Sequence, residues 1–198
     1  MAAPNAEERA ALLAGELADL PDPAEVLESR LMYEGRVWDI RRDRLTFAGG
    51  EIERDYVDHP GAVAVLAVDE HDRVLLINQY RHPIRTRDWE LPAGLLDVPG
   101  EPPVEAAKRE LAEEADLVAS EWRELIAFAS SPGGSDETIV VYEARGLAAA
   151  PEVFARTEEE AELVLRWVPL AEAVEAALAG RLRNSILLVA VLAAHAGR

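Results

Sequence analysis

Cysteine is absent from all 198 residues. Its absence excludes disulfides, thiolate metal centres and thiol nucleophiles together, and leaves packing and polar contacts to hold the fold. Positive charge is scarce, with 20 Lys and Arg against 38 Asp and Glu and a formal net charge of −18. That balance argues against a nucleic-acid-binding surface, which needs clustered cations facing phosphates. An anionic ligand would have to be met by a few local arginines and by bound metal. No apolar run reaches membrane-spanning length, and the N-terminus shows no basic stretch followed by an apolar core. The expectation is a cytoplasmic protein with no membrane association. What remains is 49% hydrophobic, enough for one sizeable globular core with a small appendage.

The acidic residues are not spread evenly. From Leu91 to Leu117 the chain reads LPAGLLDVPGEPPVEAAKRELAEEADL, and carboxylates crowd one short segment. Pro102-Pro103 can sit only ahead of a helix or in its first turn, and strong helix formers follow, so a helix is expected over Val104 to Ala115. At 100° per residue Val104, Ala107, Leu111 and Ala115 form its apolar stripe. Glu110, Glu113 and Glu114 then project from one flank beside that stripe. Such a run is either a solvated acidic face or a cation site, and hard oxygen donors without His or Cys suit magnesium or manganese.

Elsewhere the pattern is strand-rich. Residues 1–25 are an acidic, alanine-rich tail or helix stopped by Pro21-Asp22-Pro23. Residues 26–57 read as a small β-sheet subdomain of three or four strands, SRLMYE, RVWDIRR, RLTFA and EIERDYV, with a tight hairpin at Gly49-Gly50. They hold too few large apolar side chains to bury a core alone, so they must pack on another domain or on a second subunit. Residues 58–198 would form the main domain. Ala62–Val68 and Val74–Tyr80 are continuous apolar runs, hence buried strands around a polar turn. Arg81 ends the second of them and is well placed to meet a phosphate. Trp89-Glu90-Leu91 gives a short strand, and Trp122–Ala129 and Thr138–Ala144 flank a glycine-rich loop that either approaches a ligand or is an ordinary turn. Residues 145–157 read as irregular. An acidic loop, Glu158 to Glu162, precedes a strand at 163–168. Two helices follow, Leu170–Ala179 closed by Gly180 and Ser185–Ala196 capped by Asn184.

The stretch around the acidic helix resembles the signature of the Nudix hydrolases, G-x5-E-x7-R-E-U-x-E-E-x-G-U, in which U is apolar. Gly94, Glu101, Arg109, Glu110, Leu111, Glu113, Glu114 and Leu117 take its positions. Six residues rather than five separate Gly94 from Glu101, and Asp116 stands where the late glycine belongs. The extra residue falls in the loop, and Asp tolerates the left-handed conformation of a helix end. The resemblance covers about residues 58 to 196 and implies an α/β/α sandwich around a mixed sheet. The strand-rich segment before it, Pro132, and the runs Asn78-Gln79-Tyr80-Arg81 and Leu91-Pro92-Ala93-Gly94 resemble the ADP-ribose pyrophosphatase branch, whose small N-terminal antiparallel sheet is exchanged across a homodimer.

That resemblance implies divalent-metal-dependent hydrolysis of ADP-ribose to AMP and ribose 5-phosphate, with Mg2+ or Mn2+ as cofactor. Glu110 and Glu114 would be the principal metal ligands, the Ala93 carbonyl and Glu113 would complete the site, and Arg109 would orient the glutamates. Glu159 or Glu160 would be the catalytic base, with Glu160 favoured. Arg54 and Arg81 would hold the diphosphate, and Trp38 would stack on adenine or else be a core residue. The alternatives are another nucleoside-diphosphate compound such as a nucleotide sugar, a nucleoside triphosphate, or a non-catalytic ADP-ribose-binding regulator. An intact glutamate set and the missing basic extension speak against the regulator.

Overall fold

The structure is a computed structural model that describes residues 14–15, 17–19, 21–151 and 163–198. By contacts the chain divides into two units, one of residues 1–59 with 133–136, the other of 60–132 with 137–198.

The first unit is a meander. Strands β1 (Val26–Tyr33), β2 (Asp39–Phe47) and β3 (Gly50–Asp58) lie in that order, each antiparallel to the next. Ala48 and Gly49 both have positive φ, 51° and 81°, between the paired residues Phe47 and Gly50. Two left-handed residues make the tight hairpin whose twist matches the strands, one position earlier than Gly49-Gly50 suggests. The run expected as two strands, RVWDIRR and RLTFA, is the single strand β2: Asp43 does not break it, because the register with β3 runs unbroken from Asp39↔Asp58 to Phe47↔Gly50. The glycine-rich segment pairs with the end of β3. Val57 N donates to Gly134 O (2.9 Å) and Asp136 N to Val57 O (3.3 Å).

The second unit is built around β4 (Ala62–Ala67), whose six residues are all buried. It lies between β7 (Ala93–Leu95), antiparallel, and β9 (Thr138–Ala149), parallel, and β8 (Leu117–Ala129) flanks β9. A second sheet, ordered β10-β5-β6, contains β5 (Arg73–Arg81), β6 (Thr86–Glu90) and β10 (Val164–Pro169). Asp69 shapes the turn into β5, accepting from His71 N (3.0 Å) and Arg73 N (2.8 Å).

Helices cover both faces of β4. Val63, Val65 and Ala67 pack with Ala106, Ala107, Leu111 and Ala115 of α1 (Pro103–Ala115). Ala62, Ala64 and Leu66 pack with Leu170, Ala173 and Val174 of α2 (Leu170–Leu178) and Leu187, Ala190 and Val191 of α3 (Ser185–Ala196). A strand enclosed on both sides has no polar face to show, which is why its sequence is continuously apolar. The result is an α/β/α sandwich with a mixed sheet, as expected. Strand β9 runs on to Ala149, beyond the expected end at Ala144, and β8 begins at Leu117 rather than Trp122, because the two pair from Leu117↔Ala149 onward. Asn184 caps α3, its Oδ1 accepting from Leu187 N at 3.0 Å. Among the described residues no helix is long and apolar enough to cross a membrane.

Candidate active site

Proline decides where α1 begins. Pro103 occupies its first turn, where a missing N–H costs nothing, and Pro102 precedes it in extended conformation. Asp116 ends the helix at φ 55°, ψ 34°, the left-handed cap, and its N–H reaches back to Ala112 O at 3.0 Å. These limits set the helix phase. Leu111 and Ala107 enter the core, while Glu110 and Glu114 sit one step round, 9% and 5% exposed. Buried carboxylates at that spacing are costly unless charge or hydrogen bonds meet them.

The loop after β6 meets them with backbone. Pro92 O accepts from Val65 N at 2.8 Å, which docks the loop on β4, and Ala93 N donates to Glu114 Oε2 at 2.9 Å. The three-residue strand β7, which falls where the sequence reads as loop, holds this backbone in place through the pairs Ala62↔Leu95 and Ala64↔Ala93. Gly94 lies against Glu110: a Cβ there would stand 2.0 Å from its carboxyl carbon. Glycine thus lets the backbone approach this carboxylate, and a Cβ would force the end of the Glu110 side chain to move.

Arg109 gathers the other carboxylates. Its Nη2 and Nε donate to the two oxygens of Glu101 (3.1 and 3.3 Å), and its Nη1 to Glu110 (2.5 Å) and Glu113 (3.2 Å). The hydrogen bond to Glu101, with the charges of Glu110 and Glu101, raises the guanidinium above its ordinary pKa against the opposing effect of burial. One cation faces three glutamates, so an excess of negative charge stays half-buried at the loop.

No three acidic or imidazole side chains among the described residues are gathered into a finished cation cage. Glu110 turns to Arg109 and Glu114 to the Ala93 amide. The donor chemistry nonetheless fits a hard divalent ion: oxygen donors only, surplus negative charge, and a glycine cradle against Glu110 that any side chain would fill.

Arg81, at the end of β5, makes a bidentate pair with Glu90 at 2.8 and 2.7 Å. Arg54 and Trp38 belong to the first unit. Arg54 Nη1 donates to Glu53 O at 2.8 Å, and Asp43 lies opposite Arg54 in register. One carboxylate oxygen of Asp43 is buried with no hydrogen-bond partner among the described residues. Trp38 is exposed rather than part of a core, its ring centroid 6.1 Å from that of His59. Glu159 and Glu160 lie outside the described residues. Sequence reasoning passed over Glu90 as a functional candidate, although a lone acid between Trp89 and Leu91 in a core strand was a usable signal.

A family model described as NUDIX domain matches residues 58–189. The chain belongs to the Nudix family. Within it, the chain is 45% identical over 175 residues to the ADP-ribose pyrophosphatase of Mycobacterium tuberculosis (strain ATCC 25618 / H37Rv), covering 87% of this chain and 83% of that protein. It is 34% identical to the methanol dehydrogenase activator of Bacillus methanolicus, covering 84% and 90%. Among solved structures, the crystal structure of an ADP compounds hydrolase superposes with a TM-score of 0.71 at 21% identity, over 90% of this chain and 96% of that one. This last likeness is one of fold. In the Nudix frame the Arg109 cluster and the Gly94 cradle occupy the signature positions.

Proposed function

We propose that this Nudix protein hydrolyses the diphosphate of ADP-ribose to AMP and ribose 5-phosphate with the help of Mg2+ or Mn2+. The observation that carries the reaction class is the pair of buried carboxylates, Glu110 and Glu114, seated against the Ala93–Gly94 turn. The 45% identity to an ADP-ribose pyrophosphatase supports the substrate. Water adds across the P–O–P bridge, so one oxygen of water ends on one of the two phosphates and the other phosphate departs with the bridging oxygen.

Glu110 and Glu114 would hold the cation, with Glu113 and the Ala93 carbonyl as further oxygen donors. A divalent ion there would neutralise the diphosphate oxygens and make water a competent nucleophile near neutral pH. The remaining work falls to the chain. Arg109 keeps Glu110 and Glu113 from swinging into solvent, and Arg81 supplies positive charge for the non-bridging oxygens, as Arg54 would from the N-terminal sheet. Glu160, or Glu159 beside it, would accept the water's proton. Trp38, being exposed, offers a face for adenine.

We also infer a homodimer through the N-terminal sheet. Val26, Leu31, Tyr33 and Phe47 are exposed there, so a second copy is the natural cover. Light scattering at micromolar concentration that finds a fully active monomer would overturn it.

The functional reading is tested by product analysis on ADP-ribose, ADP-glucose and ATP across a magnesium titration. AMP and ribose 5-phosphate formed fastest from ADP-ribose, with no turnover in chelator, is the expected result. Preference for the nucleotide sugar would replace the substrate, and turnover unaffected by chelator would remove the metal.

A further inference from the structure

The most deeply buried charged side chain among the described residues is not a signature glutamate but Glu90, 2% exposed. Its partner Arg81 has a side chain 44% exposed. The two are not opposite one another in the ladder: Glu90 pairs with Ile77, and Arg81 with Thr86. Arg81 therefore bends back along the strands to reach Glu90, and both its Nε and Nη2 donate to that one carboxylate. A fork gripped along one edge has its plane fixed and the direction of its opposite edge set.

The face of the sheet matters. Leu75, Ile77, Gln79 and Arg81 alternate onto one side of β5, and Glu90, opposite Ile77, joins them there. Leu75 packs in the same cluster as Ala106, Ala107 and Leu111 of α1. Arg81 and Glu90 thus lie on the same side of their strands as Leu75, which shares a cluster with the helix that carries Glu110 and Glu114. Glu90 is also the last residue of β6, and three residues on the chain reaches Ala93, whose amide holds Glu114. Strands β5 and β6 are already in register through five residue pairs, from Ile77↔Glu90 to Arg81↔Thr86, so a buried carboxylate is an expensive addition if it serves only to join them.

We propose that Glu90 is a positioning residue that holds the Arg81 guanidinium in the orientation required to receive the diphosphate. The proposal rests on the reading of Arg81 as a diphosphate-binding residue. Glu90 itself touches no substrate. It converts a flexible surface arginine into a preset anion clamp, which spares the ordering of that side chain when substrate binds.

The test uses the full chain with magnesium. In Glu90→Gln the amide nitrogen replaces one acceptor, so one of the two donations from Arg81 is lost at unchanged volume. KM for ADP-ribose should rise about tenfold with kcat changed less than about threefold, the size of a weakened charge-assisted hydrogen bond acting in binding. The dissociation constant of an ADP-ribose analogue with a methylene bridge between its phosphorus atoms, measured by calorimetry, should rise in parallel. Glu90→Asp, which keeps the charge but shortens the reach, should fall between wild type and Glu90→Gln. In an Arg81→Ala background Glu90→Gln should add nothing further to KM or to analogue binding.

Wild-type KM and analogue affinity in Glu90→Gln, alongside a clear loss in Arg81→Ala, would overturn the proposal and leave Glu90 as a structural strut whose loss lowers only the melting midpoint. If Arg81→Ala itself changes neither quantity, the assignment of Arg81 fails and the proposal falls with it. Should Glu90→Gln not fold, Glu90→Asp decides: a raised KM at wild-type melting midpoint supports positioning, and an unchanged KM overturns it.

Discussion

Strands β2 and β4 are both interior strands of their sheets, and their sequences have almost nothing in common. In β4, AVAVLA, every side chain is buried, because helices cover both faces. In β2, DIRRDRLTF, none is buried. Its arginines are met instead by acids across the ladder. Arg42 takes both oxygens of Asp55 at 2.6 and 2.7 Å, Arg44 reaches Glu51 at 2.7 Å, and Arg41 pairs with Asp58. Arg30 of β1 adds Glu53 at 2.8 Å. Backbone pairing alone makes a sheet in either setting. Only β4 gains the burial that makes a sheet stable by itself, since each fully buried aliphatic side chain contributes about 1.5–3 kcal/mol. Exposed ion pairs contribute little. The residues proposed for function divide in the same way: Glu110 and Glu114 belong to the enclosed unit, while the first unit holds an exposed arginine, Arg54, and an exposed ring, Trp38.

The largest effect that would sharpen this contrast is catalytic. Glu114→Gln, within the enclosed unit, should lower kcat by about 10²-fold or more with the fold intact, the scale of losing one strong electrostatic stabiliser. Wild-type turnover at saturating magnesium would remove the metal-site assignment. The proposed base belongs to neither strand. Glu160→Gln should lower kcat at nearly constant KM, with Glu159→Gln mild, because a base acts in the transition state rather than in binding. Reversal of the two effects would move the role to Glu159. Near-normal rates in both variants would exclude this loop as the source of the base.

Stability should divide along the same line. Leu66→Ala, at a fully buried position in β4, should cost about 2–5 kcal/mol in denaturant unfolding monitored by fluorescence. A loss far below that range would mean the core around β4 collapses to fill the gap. Acid should then probe the charged middle of β9. Burial pushes the Glu143 carboxyl up, but hydrogen bonds from Arg145 and Arg123 (both 2.5 Å) outweigh it and hold the group below its ordinary value. A depressed folded pKa means stability present above the unfolded value of about 4.3 and lost as pH falls through the folded one. Arg145→Ala should therefore be less stable than wild type at neutral pH, and the difference should shrink below about pH 4. A gap that persists unchanged at pH 3 would show that Arg145 acts through packing rather than charge. The smallest effect is expected in β2: Arg42→Ala should leave the unfolding midpoint within error, since its pair with Asp55 is solvated. A marked drop would mean that the exposed ladder carries the N-terminal sheet after all.

Where local chemistry dictates conformation, the sequence was readable. The double proline, the apolar stripe through Ala107 and Leu111, and Asp116 in place of glycine placed α1 within a residue of its observed limits. The continuous apolar runs announced β4 and β5, and Asn184 announced its own cap. Strand β7 was illegible because three residues directly after Pro92, with Gly94 at their centre, carry no periodicity. It forms because β4 presents an edge to pair with. The extension of β9 beyond Ala144 has the same cause, since Gly146 interrupts the local pattern and the ladder with β8 continues across it. At the site, the signature glutamates could be named from spacing, whereas Glu90 could not be joined to Arg81. The two are brought together by a diagonal across two strands, which sequence separation does not encode.

Spacing along the chain settled which carboxylates share a flank of α1, because a helix of 3.6 residues per turn puts Glu110 and Glu114 on one side wherever it packs. Composition likewise settled that no thiol chemistry takes part. The tertiary structure alone decided that this flank is buried, that the Ala93 amide faces Glu114, and that Gly94 makes room for Glu110. Each of these is a meeting of segments far apart in sequence. It depends on how α1 and the loop after β6 dock on β4, and that docking is set by the summed burial of the whole core rather than by any local pattern.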